Sequence, residues 1–362
     1  MRVVGIDPGT VSIDVCALDD GRVAFDTSLP TAEALADPAA FIGLLADLGP
    51  VALIAGPSGY GLPLTAARDA TDEDLRLAYL AAEGERGGIG GLRALARELG
   101  RSGLPVVFTP GVIHLSSVPA HRKVNRVDMG TADKVCAAAL AIAEQAGRDG
   151  RPVEEVSLVL LELGGAFTAA LAVEGGQIVD GAGGTAGPLG VRGAGALDGE
   201  VAFLAGRVDK QLLFGGGGAA IRGENGAMPP EALAEPDTPR ARVAWEAYLE
   251  SAVKGVATML VSVPVPREVV LSGRMARVAR VREALSERLA RLAPRVPVRA
   301  LAGFARVAKE AAQGAALVAD GLAGGRHAPL VQTLGIREAR GTVLDHLHVI
   351  SPAAARQRLG IA

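Results

Sequence analysis

Two short segments of the chain have the residue types that handle phosphate. In Gly5-Ile6-Asp7-Pro8-Gly9-Thr10-Val11-Ser12, an acid and two hydroxyls stand at the mouth of an apolar run. Gly9 lets backbone N–H groups come close to phosphate oxygens, and Thr10 and Ser12 can donate to them. Asp7 suits a hard cation such as Mg²⁺, held directly or through water. An ordinary Asp-Pro-Gly turn would read the same in isolation. The second segment, Leu160-Leu161-Glu162-Leu163-Gly164-Gly165-Ala166-Phe167-Thr168, repeats the plan of acid, glycines and hydroxyl. Two such turns facing each other across a cleft would clamp a triphosphate.

Further along, His121-Arg122-Lys123-Val124-Asn125-Arg126-Val127-Asp128 collects cations and one acid. Arg122 or Arg126 could grip a substrate carboxylate bidentately or steady a transferring phosphoryl group. Asp128 has the chemistry of a general base for an alcohol. A solvated basic loop is the plain alternative. Asp133 and Lys134 could face phosphates or form a surface pair. Ser58 and Tyr60, within Gly56 to Gly61, could wall a substrate, and Arg192 could bind an anion or belong to a flexible loop. Gly215 to Gly218 has no following Lys-Ser or Lys-Thr and is not a P-loop. His114 and His121 are seven apart rather than the four of a helical metal pair, which argues against a metal there.

The elements that must carry these residues follow from hydrophobic runs and turn signals. Arg2–Ile6, Val11–Leu18 and Arg22–Thr27 read as strands, with Asp19-Asp20-Gly21 as a hairpin turn. A helix over Ala39–Leu48, a strand over Val51–Ala55, a mostly helical stretch over 62–103 and a strand at Val106–Phe108 follow. The 62–103 stretch has a Gly-rich interruption at Gly87–Gly91. An Ala-rich helix spans Thr131–Gln145. After Gly150-Arg151-Pro152 the plan restarts, with strands at Ser157–Leu163, Phe167–Val173 and Gln177–Val179. A long helix over Pro239–Leu260, a strand over Glu268–Leu271 and a helix over Ala311–Leu322 complete the second half. The second half opens as the first does, which predicts a duplicated α/β architecture.

In this order the motifs resemble the acetate kinase, sugar kinase, heat-shock-70 and actin superfamily over residues 1 to about 325. The two glycine turns resemble its phosphate loops, and Gly130-Thr131-Ala132-Asp133-Lys134 resembles the start of its first connecting helix. Val269-Val270-Leu271-Ser272-Gly273-Arg274 resembles the adenosine loop, and Gly314-Ala315-Ala316 the second connecting helix. The resemblance implies two duplicated actin-like ATPase (ribonuclease H-like) domains around a central nucleotide cleft, over 1–150 and 151–325. It leaves a Gly-rich insertion at 181–240 and a C-terminal appendage, 326–362, with room to pack back on the first domain. It implies ATP and Mg²⁺, bound by Gly9, Thr10, Ser12, Glu162, Gly164, Gly165, Thr168, Ser272, Gly273 and Arg274, with Asp7 and Glu162 at the metal.

Gly195-Ala196-Leu197-Asp198-Gly199-Glu200 is similar to a stretch of butyrate kinases, and the layout resembles a family described as predicted butyrate kinases. That implies a carboxylic-acid acceptor, with Asp7, Arg122, Arg126 and Asp128 catalytic and Ser58, Arg192 and Asp198 on the substrate side. The chain departs from acyl kinases at Asp7, where they have Asn, and at Glu162, where Asp is usual. Their Arg- and His-containing substrate motif is not visible. A sugar or other alcohol kinase, and a nucleotide-binding regulator with slow ATP hydrolysis, are the alternatives within the superfamily. The expected partners are a nucleotide and a small-molecule acceptor, and a homodimer is compatible with this reading.

Composition agrees with a folded enzyme. Apolar residues make up 49% of the 362 and charged residues 21%, enough for a sizeable core. The net charge of −3 and pI near 6.0 argue against a general nucleic-acid binder. No apolar run reaches the roughly 18 residues of a bilayer span, and the start has no signal-peptide pattern, so the cytoplasm is expected and no membrane partner. Cys16 and Cys136, without metal spacing, are expected to be reduced and buried. The basic residues are 32 Arg and only 5 Lys, so each lysine is worth locating.

Overall fold

The apolar runs form two sheets of one design in the computed structural model, which describes residues 1–57, 59–81, 89–224 and 228–361. Ser58, and Gly87 and Gly88 of the Gly-rich interruption, lie outside the described residues. The first sheet is built from β1 (Arg2–Pro8), β2 (Ser12–Asp19), β3 (Arg22–Pro30), β4 (Leu53–Pro57), β5 (Thr65–Ala66) and β6 (Val106–Thr109), in the order β3-β2-β1-β4-β6-β5. The second contains β7 (Leu158–Leu163), β8 (Thr168–Glu174), β9 (Gln177–Ala182), β10 (Glu268–Ser272) and β11 (Val298–Ala300), in the order β11-β10-β7-β8-β9. In each, a three-stranded antiparallel meander continues from its first strand into two parallel strands. Parallel neighbours need crossovers, and the helices between them supply these.

Side chains alternate across each strand, so one run feeds two layers. Leu158 and Leu160 face inward with Val3, Leu18 and Ala55 of the first sheet, in one core that spans both sheets. Val159 and Leu161 face outward against Trp245, Tyr248 and Leu249 of the Pro239–Ser262 helix. Between the sheets lie the Ala132–Asp149 and Glu310–Leu322 helices, rich in alanine on their shared face. Small side chains let these helices cross closely, at Cys136 and Gly314. The Glu310–Leu322 helix packs along β1, so a late segment of the chain covers the inner face of the first sheet. Cys16 and Cys136 are free and buried.

The 62–103 stretch is less helical than its composition suggests. It contains β5 and a 3-10 turn at Ala67–Asp69 before the Asp72–Tyr79 and Ile89–Arg101 helices. Thr71 and Asp74 form a reciprocal capping box that starts the first of these helices. The insertion holds short helices at Gly199–Ala205, Lys210–Phe214 and Gly218–Arg222. The tail returns to the first half. Arg356 pairs with Glu73, and the Asn125 side-chain oxygen accepts from the His348 N–H at 2.7 Å. Among the described residues no helix is long and apolar enough to cross a membrane.

Candidate active site

The hairpins β1–β2 and β7–β8 end in turns with the same bond. The Gly9 N–H donates to the Ser12 carbonyl at 3.0 Å, and the Gly164 N–H to the Phe167 carbonyl at 2.9 Å. Each glycine follows two residues after a buried acid, Asp7 in one hairpin and Glu162 in the other. β10 runs beside β7 with Ser272 in register with Glu162. Gly273 then turns with φ +85°, and a Cβ there would stand 2.7 Å from Glu162 Oε1. Only glycine fits that left-handed turn against the carboxylate. The three turns line one cleft of about 270 Å³ between the sheets.

Two ammonium groups organise the acids of this cleft. Lys134 Nζ lies 2.6 Å from Asp133 Oδ2 and 3.0 Å from Glu162 Oε2. Lys309 Nζ lies 2.6 Å from Asp14 Oδ2 and 3.7 Å from Asp7 Oδ2, and donates to the Ser12 carbonyl at 3.2 Å. Ser12 Oγ donates to Asp14 at 2.8 Å. Burial opposes both ammoniums, yet the neighbouring carboxylates hold both lysine pKa values above the ordinary range. Burial pushes Asp7 up to about 7, with Lys309 pulling the other way. It also raises Glu162, against the pull of Lys134. Asp133 is half-buried, and Lys134 and Thr131 hold its carboxyl below the usual range.

Asp128 occupies a different part of the lining. Its Oδ2 accepts from the backbone N–H and the hydroxyl of Thr185, both at 2.9 Å, and burial raises its pKa. The cleft lining also has an apolar and aromatic part, with Tyr60, Tyr79 and Leu92 from the first half and Phe167 and Phe214 from the second. Phe167 and Phe214 meet edge to face at 5.2 Å. Lys210 Nζ lies over the Tyr60 ring at 5.3 Å and the Phe214 ring at 5.5 Å. The Lys210–Phe214 helix of the insertion therefore touches a wall from the other half.

Of the residues singled out from the sequence, Asp7, Gly9, Thr10, Ser12, Asp128, Glu162, Gly164, Gly165, Ser272, Gly273 and Arg274 line the cleft. Arg274 is held by Glu231, with Nη2 to Oε2 at 3.0 Å. Arg122 and Arg126 do not reach it. Arg122 donates to the Val179 carbonyl at 2.7 Å and stands 3.8 Å from Asp180, and exposed Arg126 donates to the Ala186 carbonyl at 3.3 Å. The chain turns between the two arginines at Asn125, φ +53°; both guanidiniums lie on β9 and the insertion, and Asp128 enters the cleft. Thr168 is fully buried as the first residue of β8, outside the cleft lining. The exposed Asp198 caps the Gly199–Ala205 helix, accepting from the Glu200 N–H at 2.8 Å. Arg192 holds the second hairpin through its backbone, its N–H donating to the Ala166 carbonyl at 2.9 Å, and is absent from the lining. Lys309, Asp14, Glu310 and Thr185 were not singled out. For Lys309 the one available signal was the scarcity of lysine.

The donor set fits a nucleotide and its metal. Glu162 Oε2 and Ser272 Oγ are buried at the cleft without a hydrogen-bond partner. The ion pair of Glu162 with Lys134 is close but not aligned as a hydrogen bond. A carboxyl such as Asp7, pushed toward neutrality by burial, gains its charge back when a cation is near. Among the described residues, no three His, Cys, Asp or Glu side chains are grouped as a ready-made metal site. Asp7 and Glu162 would therefore act on a cation that phosphate oxygens and water also hold, as suits Mg²⁺.

Two sheets of this order, packed about two crossed helices and a shared cleft, make the two-domain actin-like ATPase fold seen in acetate and propionate kinases. The chain is similar in fold to a propionate kinase from Francisella tularensis subsp. tularensis SCHU S4, with TM-score 0.61 at 12% identity, over 87% of this chain and 98% of that one. It is also similar to acetate kinases from Porphyromonas gingivalis (TM-score 0.58, 14% identity, 87% and 98% covered) and Entamoeba histolytica (TM-score 0.55, 11% identity, 81% and 87% covered). The chain belongs to the family described as a protein of unknown function, DUF1464, whose model matches residues 5–349. None of the curated proteins matches it.

Proposed function

We propose that the protein is an ATP- and Mg²⁺-dependent phosphotransferase acting on a small molecule. The observation that carries this reading is the pair of equivalent hairpins, each with a buried acid and a Gly N–H bond, set around one cleft beside the Gly273 turn. The phosphates would lie along Gly9–Thr10 and Gly164–Gly165, and the adenosine by Ser272 and Gly273. Asp7 and Glu162 would orient the metal, which when bound neutralises phosphate charge. The apolar side chains of the lining would exclude water from the acceptor and align it.

The acceptor the geometry supports best is a hydroxyl. Asp128 is buried in the cleft, and burial raises its pKa, which makes its carboxylate a better proton acceptor than an exposed one. A carboxylic acid is the second reading, supported by the butyrate kinase-like Ala196–Glu200 stretch and by the fold shared with acetate and propionate kinases. A carboxylate is already a nucleophile and needs cations for alignment. Arg122 and Arg126, which would have supplied them, lie elsewhere. The test is ATP consumption with a panel of short acids, sugars and simple alcohols, with acyl phosphate trapped by hydroxylamine. Stimulation by alcohols without hydroxamate supports the first reading, and hydroxamate with acids replaces it by the second. Tight nucleotide binding with no stimulation by any acceptor would overturn phosphotransfer in favour of a nucleotide-binding regulator.

A further inference from the structure

The two cleft lysines are related as the two halves are. Lys134 stands in the first turn of the Ala132–Asp149 helix of the first half and pairs with Glu162 of the second-half hairpin at 3.0 Å. Lys309 immediately precedes the Glu310–Leu322 helix of the second half and pairs with Asp14 and Asp7 of the first-half hairpin, at 2.6 and 3.7 Å. Each hairpin is thus held by an ammonium carried at the head of the other half's inner helix. The pattern has a second element. Asp133 precedes Lys134 and Glu310 follows Lys309, and both acids line the cleft. Among the described residues, Lys134 and Lys309 are lysines that pair with carboxylates of the two hairpins.

In this arrangement four carboxylates (Asp7, Asp14, Asp133 and Glu162) share two ammonium groups. A polyphosphate entering alone would meet net negative charge, and charges in a poorly solvated cleft interact strongly. A divalent cation would offset Asp7 and Glu162, and Lys134 and Lys309, loosened from those two but still held by Asp133 and Asp14 at 2.6 Å, would turn to phosphate oxygens. Nζ of a lysine on a flexible stem can change partners in this way with little backbone movement.

Resting on the nucleotide reading of the cleft, we propose that Lys134 and Lys309 are its phosphate-binding cations and reach the phosphates by exchanging Glu162 and Asp7 for them. In the nucleotide-free protein the same two groups tie each hairpin to the opposite half. Binding of the metal-nucleotide would replace the ties to Glu162 and Asp7 by bonds through the ligand and leave Lys309 on Asp14.

The experiment is calorimetric titration with ATP, in EDTA and in Mg²⁺, of the wild-type protein and of Lys134→Gln, Lys309→Gln and Glu162→Gln. Loss of either lysine is expected to weaken ATP at least tenfold in both conditions, with Lys134→Arg recovering part of the loss. Glu162→Gln is expected to do the opposite in EDTA, tightening ATP because the cleft loses one negative charge and Lys134 keeps only Asp133 as a partner, while losing most of the gain that Mg²⁺ gives the wild type. Opposite signs at two members of one ion pair cannot arise from misfolding, and thermal unfolding of each variant checks that independently. Wild-type affinity in both lysine variants, or weaker binding by Glu162→Gln in EDTA, would overturn the proposal while leaving ATP binding in place. A wild-type protein that takes up no ATP in either condition would overturn the nucleotide reading and this one with it.

Discussion

The carbonyl oxygen of Cys136 stands 1.7 Å from the place a β-carbon on Gly314 would occupy. The two inner helices touch backbone to backbone there, and both sheets lean on that contact. Gly314→Ala should force the helices apart and cost about 1–3 kcal/mol, as overpacking of a close-packed core does. Denaturant unfolding measures it directly. An alanine variant as stable as the wild type would mean that the helices separate freely.

Asp7 gives the nucleotide-free protein a specific pH dependence. Its carboxyl is raised to about 7 when folded, against an ordinary value near 3.8. Between those values the folded state keeps a proton that the unfolded chain releases. The stability linked to Asp7 is therefore full below about pH 4, falls as pH rises, and is lost once pH has passed through about 7. Asp7→Asn should flatten that slope in unfolding curves taken from pH 4.5 to 8. Metal-nucleotide binding should have the reverse trend and tighten as pH rises through 7, because the cation needs the ionised form.

Asp128→Asn keeps the shape of the side chain and removes the base. Transfer to a hydroxyl acceptor should fall about 10²- to 10⁴-fold, while the ATP dissociation constant stays within a few fold of wild type. Steady-state kinetics and calorimetry on the same preparation separate the two. Transfer to a carboxylate acceptor would be affected far less, since that nucleophile has no proton to lose.

Phe214 joins the insertion to the second hairpin through its edge contact with Phe167 at 5.2 Å. Phe214→Ala removes a contact of roughly 0.5–1.5 kcal/mol beyond the area it buries. The acceptor KM should rise several-fold with the ATP KM little changed. Equal rises in both would place Phe214 at the nucleotide instead.

Arg122 is the contrasting case. Its guanidinium holds the Val179 carbonyl at 2.7 Å and lies outside the cleft lining. Arg122→Ala should lower stability by about 1–2 kcal/mol and leave kcat/KM unchanged. A large kinetic loss at unchanged stability would return this arginine to the reaction.

The glycine-turn side of the cleft was legible because strands ending in glycine are a local signal. Asp7-Pro8-Gly9, Glu162-Leu163-Gly164 and Ser272-Gly273 each follow an apolar run, and the runs became β1, β7 and β10. Away from the glycine turns the lining around the aromatic wall was legible only at Asp128 and Tyr60. Seven neighbouring residues gave Arg122, Arg126 and Asp128 one common appearance, and the left-handed turn at Asn125 is one of the bends between Arg122, on β9, and Asp128, in the cleft. No propensity forces Asn into that conformation, although it tolerates it better than most residues. Lys309 meets Asp7 and Asp14 across nearly the whole chain, a pairing with no local pattern to announce it. The extent of the insertion was visible as glycine and proline, whereas the reach of its Lys210–Phe214 helix to Tyr60 depends on tertiary packing.

The Glu310–Leu322 helix lies along β1, where a β-carbon on Gly5 would fall 2.2 Å from the Ala312 carbonyl oxygen. While the chain is being synthesised, β1 leaves the ribosome long before the helix that seals it. The N-terminal sheet of the nascent chain must wait with its inner face uncovered, the kind of transient surface that chaperones shield. Covering of the first sheet is thus one of the last events in making the protein, although its strands are the first to be made.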